Sequence, residues 1–482
     1  MCSMKNLIIP LFVASAILLG GCRKDMDRLN VNTKQARNVP GEMLFSNAQK
    51  NLADILTTPN VNNNIFEFIV QYWSATTYPQ ESRYDLGNRN IPQNWWTIIY
   101  RDVLSDLNEA QRLIAAEQPL LEEEQVSQRN KLAIVQLTKA HAFYVLVNTF
   151  GDIPYSEALD IENTTPAYDE QRTIYYSLLD SVEDAIADMD VSGESFGPAD
   201  LIYSGDMNMW FKFANSLQLR FGMLVADVDF ARASELVEAA APNVIQSNME
   251  NAVFRYVSNP PNTNPIWTNL VQSNRNDYVP SNTLINAMNA LDDPRRDEYF
   301  TEGPNGGYVG GIYGAGNTFG NFSHMGDQTL EPDFPSVLMD YAEVEFLLAE
   351  AVERGMNVGG TAAQHYNNGV RASILYWDGS ETEANTYLAR PDVNYATAPG
   401  TYKEKIGRQL WIAMYLRSFD EWVHWRRLDA PALVKPASAI SDIPVRYTYP
   451  FNEQNLNEAN YNAASESIGG DAVTTRLFWD VN

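Results

Sequence analysis

Cysteine is almost missing from this sequence: Cys2 and Cys22 are the only two in 482 residues. Both sit near the N-terminus, so the body of the chain has no disulfide framework, thiolate zinc site or redox thiol pair. Histidine is equally scarce. His141, His324, His365 and His424 are scattered with no H-E-x-x-H pair, which argues against zinc. Basic residues are in deficit, with 34 Lys and Arg against 61 Asp and Glu and a formal charge of −27. Phosphate backbones need a basic footprint, so nucleic-acid binding is excluded, and docking on anionic lipid by charge alone is disfavoured. There is no phosphate loop and no G-x-S-x-G elbow. The run Gly303–Gly320 holds Gly314-x-Gly316, but Phe319 stands where a further glycine belongs. No cofactor and no metal are expected.

The N-terminus carries the first positive signal. The apolar run Leu7–Leu19 is too short to cross a hydrocarbon core, which takes roughly 20 residues. With Lys5 before it and small residues after it, the segment reads as a secretory signal. Its end, Leu19-Gly20-Gly21-Cys22, resembles a bacterial lipobox, in which the cysteine is acylated and becomes the first mature residue. Residues 1–21 are therefore expected to be a lipoprotein signal peptide and Cys22 the lipid attachment site. Acyl chains anchor stably because each buried CH₂ contributes about 0.8 kcal/mol. The following Arg23-Lys24-Asp25-Met26-Asp27 is similar to the acid-containing tag that sends lipoproteins to the cell surface. Attachment to the membrane is expected through the lipid only.

Along the chain the periodicity is helical. Trp96, Ile99, Val103, Leu107, Ala110 and Ile114 recur at spacings of three and four. Leu132, Val135, Ala140, Phe143, Tyr144 and Val147 repeat the habit, as do Ile174, Leu178, Val182, Ala185 and Met189. Further patterns run through 207–226, 336–354, 361–376 and 405–427. Neighbouring helices predict a mainly α protein built as a tetratricopeptide-like stack of helix pairs. One domain over 22–482 is expected. It has a helical scaffold at about 40–230 and 336–430, a loop-rich insertion at about 251–335, and an irregular C-terminal part at 431–482. The insertion keeps its aromatics, which disordered segments lack.

Chemistry is marked by loops that mix aromatics with amides. Residues 71–96 and 259–278 combine Trp and Tyr with Asn, Gln and Arg. Flat rings stack on sugars or peptide groups, while amides and guanidinium groups fix orientation. Tyr78, Arg83, Trp267, Arg275, Tyr308 and Tyr313 are the candidate ligand-binding residues. Arg83, Arg89 and Arg275 are also the candidates for a local basic patch. Trp95, Trp96, Trp210, Trp411 and Trp422 lie on helical faces and are assigned to the core. Asp292-Asp293-Pro294-Arg295-Arg296 reads as a turn. No carboxylate pair is marked for glycoside hydrolysis, and no catalytic residue is expected.

Several segments carry a family resemblance. His141–Leu159 (HAFYVLVNTFGDIPYSEAL) and Asp200–Arg220, with Tyr203-Ser204-Gly205-Asp206 leading to Trp210–Leu217, resemble hallmarks of the SusD/RagB family of outer-membrane nutrient-binding lipoproteins. Tyr341-Ala342-Glu343, Ala349-Glu350-Ala351, Trp411-Ile412-Ala413, Glu421-Trp422 and Arg426-Arg427-Leu428 are similar to its later helices, and Ile443–Arg446 through Tyr461 to its C-terminal end. The resemblance implies a tetratricopeptide-type scaffold, lipid-anchored at the outer membrane and exposed at the cell surface. Such a protein would capture oligosaccharides or peptides and deliver them to a SusC-like TonB-dependent outer-membrane transporter. Gly151-Asp152-Ile153-Pro154 reads as a helix stop followed by a Pro-fixed turn, scaffold rather than site, and the resemblance gives no residue-by-residue ligand site. The alternatives are a glycan-binding or structural helical-repeat lipoprotein without a transport role, and a surface hydrolase.

Overall fold

The computed structural model describes residues 39–481. The signal peptide, Cys22 and the acidic tag lie outside the described residues. Seventeen α-helices are formed among the described residues: α1 Gly41–Thr57, α2 Phe66–Ile69, α3 Ile91–Thr97, α4 Ser105–Ala115, α5 Glu122–Phe150, α6 Gln171–Asp188, α7 Met207–Leu224, α8 Phe230–Ala240, α9 Asn282–Leu291, α10 Arg296–Tyr299, α11 Tyr341–Glu353, α12 Ala362–Tyr376, α13 Glu381–Leu388, α14 Tyr402–Ala413, α15 Ser418–Leu428, α16 Phe451–Leu456 and α17 Glu458–Ser467. Four short strands join them: β1 Trp73–Ala75, β2 Ala252–Phe254, β3 Tyr278–Pro280 and β4 Ser336–Met339.

Successive helices pack on one another: α4 on α5, α5 on α6, α6 on α7, and α7 on α8. A second series runs α11 on α12, α12 on α13, and α14 on α15, with α7 and α14 both against α11. The chain is therefore mainly α, a tetratricopeptide-like helix-pair scaffold with a loop-rich insertion. Helix α6 shows why. Ile174, Leu178, Leu179, Val182 and Ala185 form one buried face, each large side chain contributing about 1.5–3 kcal/mol on burial. Helix α5 is different, because every residue from Ala140 to Phe150 is buried. It runs through the core rather than over it, which is why a single apolar stripe is hard to see in its second half.

The family segments are structural chemistry. Helix α5 ends at Gly151, whose φ of 85° favours glycine. Asp152 then accepts from the backbone N–H of Gln171 at 2.9 Å and starts α6. Asp200 accepts from the N–H groups of Ile202 and Gly205 and from Trp210 Nε1, at 3.0, 2.9 and 2.7 Å. Asp206 caps α7. Trp95, Trp96, Trp210, Trp411 and Trp422 are all buried.

Three regions differ from expectation. Between α3 and α4 the helix passes through a π-helical stretch, Ile98–Leu104, so the 95–114 periodicity spans a widened turn. The insertion contains α9, N-capped by Ser281 and burying Leu284, Ile285, Met288 and Leu291. The C-terminal part is not irregular throughout. It forms α16 and α17, polar helices with little apolar period, of which only Ala464 is buried. It closes with Trp479, whose Nε1 donates to Asn148 Oδ1 at 2.8 Å.

Two small antiparallel sheets fix the insertion to the scaffold. In one, β1 pairs with β3 in the register Trp73↔Pro280, Ser74↔Val279 and Ala75↔Tyr278. In the other, β2 pairs with β4. Gly311 lies against β3 so closely that a Cβ there would meet Val279 Cγ2 at 2.6 Å. Its N–H donates to Pro280 O at 2.8 Å, and its carbonyl accepts from Ser74 Oγ at 3.0 Å. No described helix is long and apolar enough to cross a membrane.

Candidate functional site

The β1–β3 pairing brings residues about two hundred positions apart to one place. Beyond Ala75 the pairing continues through Thr76, whose N–H donates to Asp277 O at 2.8 Å and whose Oγ1 donates to Asn276 O at 2.6 Å. The two strand ends open on a cavity of about 340 Å³. Tyr78, Glu81, Arg89, Asn60, Asn62, Asn269, Arg275, Asp277 and Tyr278 are among its lining residues. Asn269 comes from a π-helical turn, Trp267–Gln272.

Tyr78 is the exposed ring of the cavity, at 61%. Its φ of 33° is unusual for a bulky residue, and Pro79 follows it, which narrows its choices further. Such a conformation costs of order 1–3 kcal/mol. It presents the ring beside Arg89, whose Cζ lies 5.8 Å from the ring centroid. Tyr278 forms the opposite, fixed element. It stacks on Trp73 with centroids 5.4 Å apart, and its hydroxyl donates to Pro59 O at 3.0 Å. Burial, then the charges of Asp277 and Glu81, push the Tyr278 phenol above its ordinary pKa, so it stays a neutral donor.

Charge in the cavity is paired. Arg89 Nε is bound to Glu81 Oε1, a carboxylate that is itself buried. Arg275 Nε lies 2.7 Å from Asp277 Oδ2. Two cations and two anions face one hollow, and three amide side chains supply donors and acceptors beside them. The expected basic patch is thus not bare: both arginines that reach the cavity hold a carboxylate. Such an arrangement can hold a neutral, hydroxyl- or amide-rich group by one ring face and planar polar groups.

Of the six candidates, Tyr78 and Arg275 meet here. Trp267 is half-buried on the same π-helical turn, but Asn269 and Leu270, not Trp267, line the cavity. Arg83 serves as a tie: its Nε donates to Gly314 O at 2.8 Å and its carbonyl accepts from Ile440 N at 3.0 Å. Tyr308 lies against α10, with Arg296 Cζ 4.6 Å from its ring centroid, and burial, then the Asp297 charge, raise its phenol to about 12. Tyr313 corrects the expectation most clearly. It is 8% exposed and its hydroxyl donates to Phe68 O, so its Gly-rich context marks close packing rather than access. Glu81, Asp277, Tyr278 and the asparagines are missed from sequence, because polar residues of these types are common and only the strand register selects them. Among the described residues no group of three or more His, Cys, Asp or Glu is placed to hold a metal.

The helix pairs thus carry a loop-built hollow with an exposed ring and paired charges. Comparison with known proteins gives the family. A SusD-like family model, described as starch-binding and associating with the outer membrane, matches residues 32–450. The chain belongs to the SusD-like family. Among solved structures it is similar to a chitin-binding protein at 26% identity and TM-score 0.77, over 92% of this chain and 100% of that one. It is also similar to a chitin-binding SusD homologue from Flavobacterium johnsoniae at 26% identity and TM-score 0.73, over 91% and 98% of the two chains. A SusD homologue from Bacteroides uniformis gives 26% identity and TM-score 0.75, over 91% and 99%. No match was found among curated proteins.

Proposed function

We propose that this chain is a lipid-anchored, surface-exposed nutrient-binding protein that captures a neutral oligosaccharide and passes it to a SusC-like TonB-dependent transporter. The observation that carries the ligand class is the cavity itself: one exposed ring, Tyr78, facing charge-balanced planar groups. The apolar C–H face of a pyranose suits the ring, and its hydroxyls suit amide and ion-paired side chains that both donate and accept. The starch-binding description of the family and the chitin-binding proteins among the structural relatives support a glycan over a peptide. Arg89 and Arg275 are already neutralised, which disfavours a polyanionic glycan.

Capture needs no bond-breaking group. The two carboxylates of the hollow are committed to arginines, and the energy for uptake would enter through the transporter. The lipid on Cys22 would hold the protein beside that partner, and handing over the ligand would require only that binding here be reversible.

The test is calorimetric titration of the full chain in detergent with chitooligosaccharides, malto-oligosaccharides and short neutral peptides. Saturable glycan binding is expected, and Tyr78→Ala should weaken it by at least about tenfold, the order of loss seen when an aromatic anchor is truncated. Binding of peptides alone, or glycan binding indifferent to Tyr78→Ala, would defeat this assignment.

A further inference from the structure

A second hollow, of about 450 Å³, opens beside the Tyr78 cavity, over α1, the π-helical stretch Ile98–Leu104 and the loop at 261–265. Two segments wall both hollows. In the turn after α1, Asn60 and Asn62 line the Tyr78 cavity and Asn63 lines the second hollow. In the π-helical turn Trp267–Gln272, Leu270 lines the first, Thr268 the second, and Asn269 both. Asn60 holds its turn: its backbone carbonyl accepts from Asn63 N–H at 2.8 Å and its Oδ1 from Asn62 N–H at 3.0 Å. Asn269 Nδ2 donates to Pro265 O at 2.8 Å, which keeps that amide at the junction.

Charge is arranged alike in the two. The charged residues lining the second hollow are Lys50, Asp54, Arg101 and Asp102, and each cation holds one of the anions. Arg101 grips Asp102 bidentately, Nε to Oδ1 and Nη2 to Oδ2, both at 2.7 Å. Lys50 Nζ is bound to Asp54 Oδ2. The Tyr78 cavity has the same balance in Arg89–Glu81 and Arg275–Asp277. Such balance is not general in this acidic chain: the hollow at the start of α5 is lined by six carboxylates and one lysine. Bidentate pairing occupies two of the Arg101 nitrogens and leaves Nη1, on a mostly exposed side chain, to donate elsewhere. Ile98, Pro261 and Pro265 add apolar surface between the polar groups.

We propose that the two hollows form one groove for a linear neutral oligosaccharide longer than the Tyr78 cavity alone can hold. The chain crosses at Asn269, and its next residues lie on Lys50, Arg101 and the Pro261–Pro265 loop. This rests on the glycan reading of the Tyr78 cavity and adds to it a substrate length and a second set of contacts. Each hollow alone is near the lower end of the roughly 300–1,000 Å³ of small-molecule sites. Hydroxyls both donate and accept, so a sugar can bridge the two members of a closed ion pair without adding charge. A charged oligosaccharide would compete with that pairing in either half. With no aromatic ring in its lining, the second hollow binds weakly by itself. The covalent link from the Tyr78 end supplies the local concentration that makes its contacts count.

Calorimetric titration of the full chain in detergent with chitobiose and chitohexaose, and with maltose and maltohexaose, tests this. In the series that binds, the hexamer is expected to bind at least about tenfold tighter than the dimer. Extra registers along a longer chain give a few-fold gain without any new contact, so the hexamer-to-dimer ratio is compared between variants. Arg101→Ala removes the exposed donors and leaves Asp102 unpaired, and Asn63→Trp fills the hollow near its junction. In each, with a melting temperature near wild type, the ratio should fall to the few-fold level. A wild-type ratio already at that level, or one unmoved by both substitutions, overturns the groove while leaving Tyr78-dependent dimer binding intact. Binding of neither series, or binding indifferent to Tyr78→Ala, would instead overturn the cavity reading on which the groove is built.

Discussion

Asp293→Asn should be among the most damaging conservative substitutions in this protein, although the residue lies in a turn. Asp293 and Arg295 are both fully buried, and Arg295 grips Asp293 bidentately, Nε to Oδ1 at 2.8 Å and Nη2 to Oδ2 at 2.6 Å. The Arg295 N–H also donates to Asp293 Oδ1 at 3.0 Å, closing the turn. The remaining guanidinium donors reach Ser373 Oγ and Gln409 Oε1, at 3.1 and 2.8 Å. The pair thereby pins the α9–α10 turn of the insertion onto α12 and α14. Burial works to lower the Arg295 pKa, but the Asp293 charge beside it wins and holds it above its ordinary value. Losing one member of a buried pair costs about 3–5 kcal/mol, because the other charge stays behind without an anion. Asparagine keeps one carbonyl for the turn and for one guanidinium bond, so about 3 kcal/mol is expected for Asp293→Asn and nearer 5 kcal/mol for Asp293→Ala. Urea denaturation of both variants, followed by tryptophan fluorescence, measures this. Arg295→Met closes the cycle: the double variant should recover at least about 1 kcal/mol over the sum of the singles, within the coupling range for contacting residues. A loss under about 1 kcal/mol for Asp293→Asn, or strict additivity with Arg295→Met, would refute the reasoning.

Other outcomes follow from single groups. Glu67, on α2, is buried with Oε2 unpartnered, and burial raises its carboxyl from the usual 4.5 to about 8. Between those values the folded chain holds a proton that the unfolded chain has released, so stability falls as pH rises, by up to about 1.4 kcal/mol per unit. Glu67→Gln removes this slope and should stabilise the protein at pH 7.5 more than at pH 5.5; equal shifts in urea midpoint at both pH values would contradict it. Cys22→Ala should move the protein from the membrane to the soluble fraction. Membrane retention of that variant in cells lacking the transporter would exclude the lipid as anchor.

The scaffold was legible because its signals are local. Ile174, Leu178, Val182 and Ala185 recur at helical spacing and bury one face, and the segment at Gly151–Pro154 reads as a stop because a glycine must take φ of 85° there. The Asp292–Arg296 turn was legible too, but not its burial: the side-chain partners of Arg295, Ser373 and Gln409, are 78 and 114 positions away. The insertion and the strand it pairs with hid more, since α9 is short and β1 and β3 are three-residue strands, buried but for the half-buried Tyr278, with no alternation to read.

The site shows where local reading stops. Composition selected Tyr78 and Arg275, which the fold brings to one cavity, because rings and guanidinium groups in polar loops are uncommon enough to notice. The same reasoning selected Tyr313, which is buried with its hydroxyl donating to Phe68 O. Exposure is set by what packs over a loop, and that is decided by the Ala75↔Tyr278 register rather than by neighbours in sequence. Charge behaves likewise. Arg89 and Arg275 look like a basic patch in an acidic chain until Glu81 and Asp277 are placed against them. A patch would attract anions; two closed ion pairs instead offer oriented donors and acceptors at no net charge. The charge character of the cavity therefore turns on pairings whose partners must first be brought together by the fold, and a shift of one residue in β1 against β3 would turn Tyr278 to the other face and dismantle the cavity.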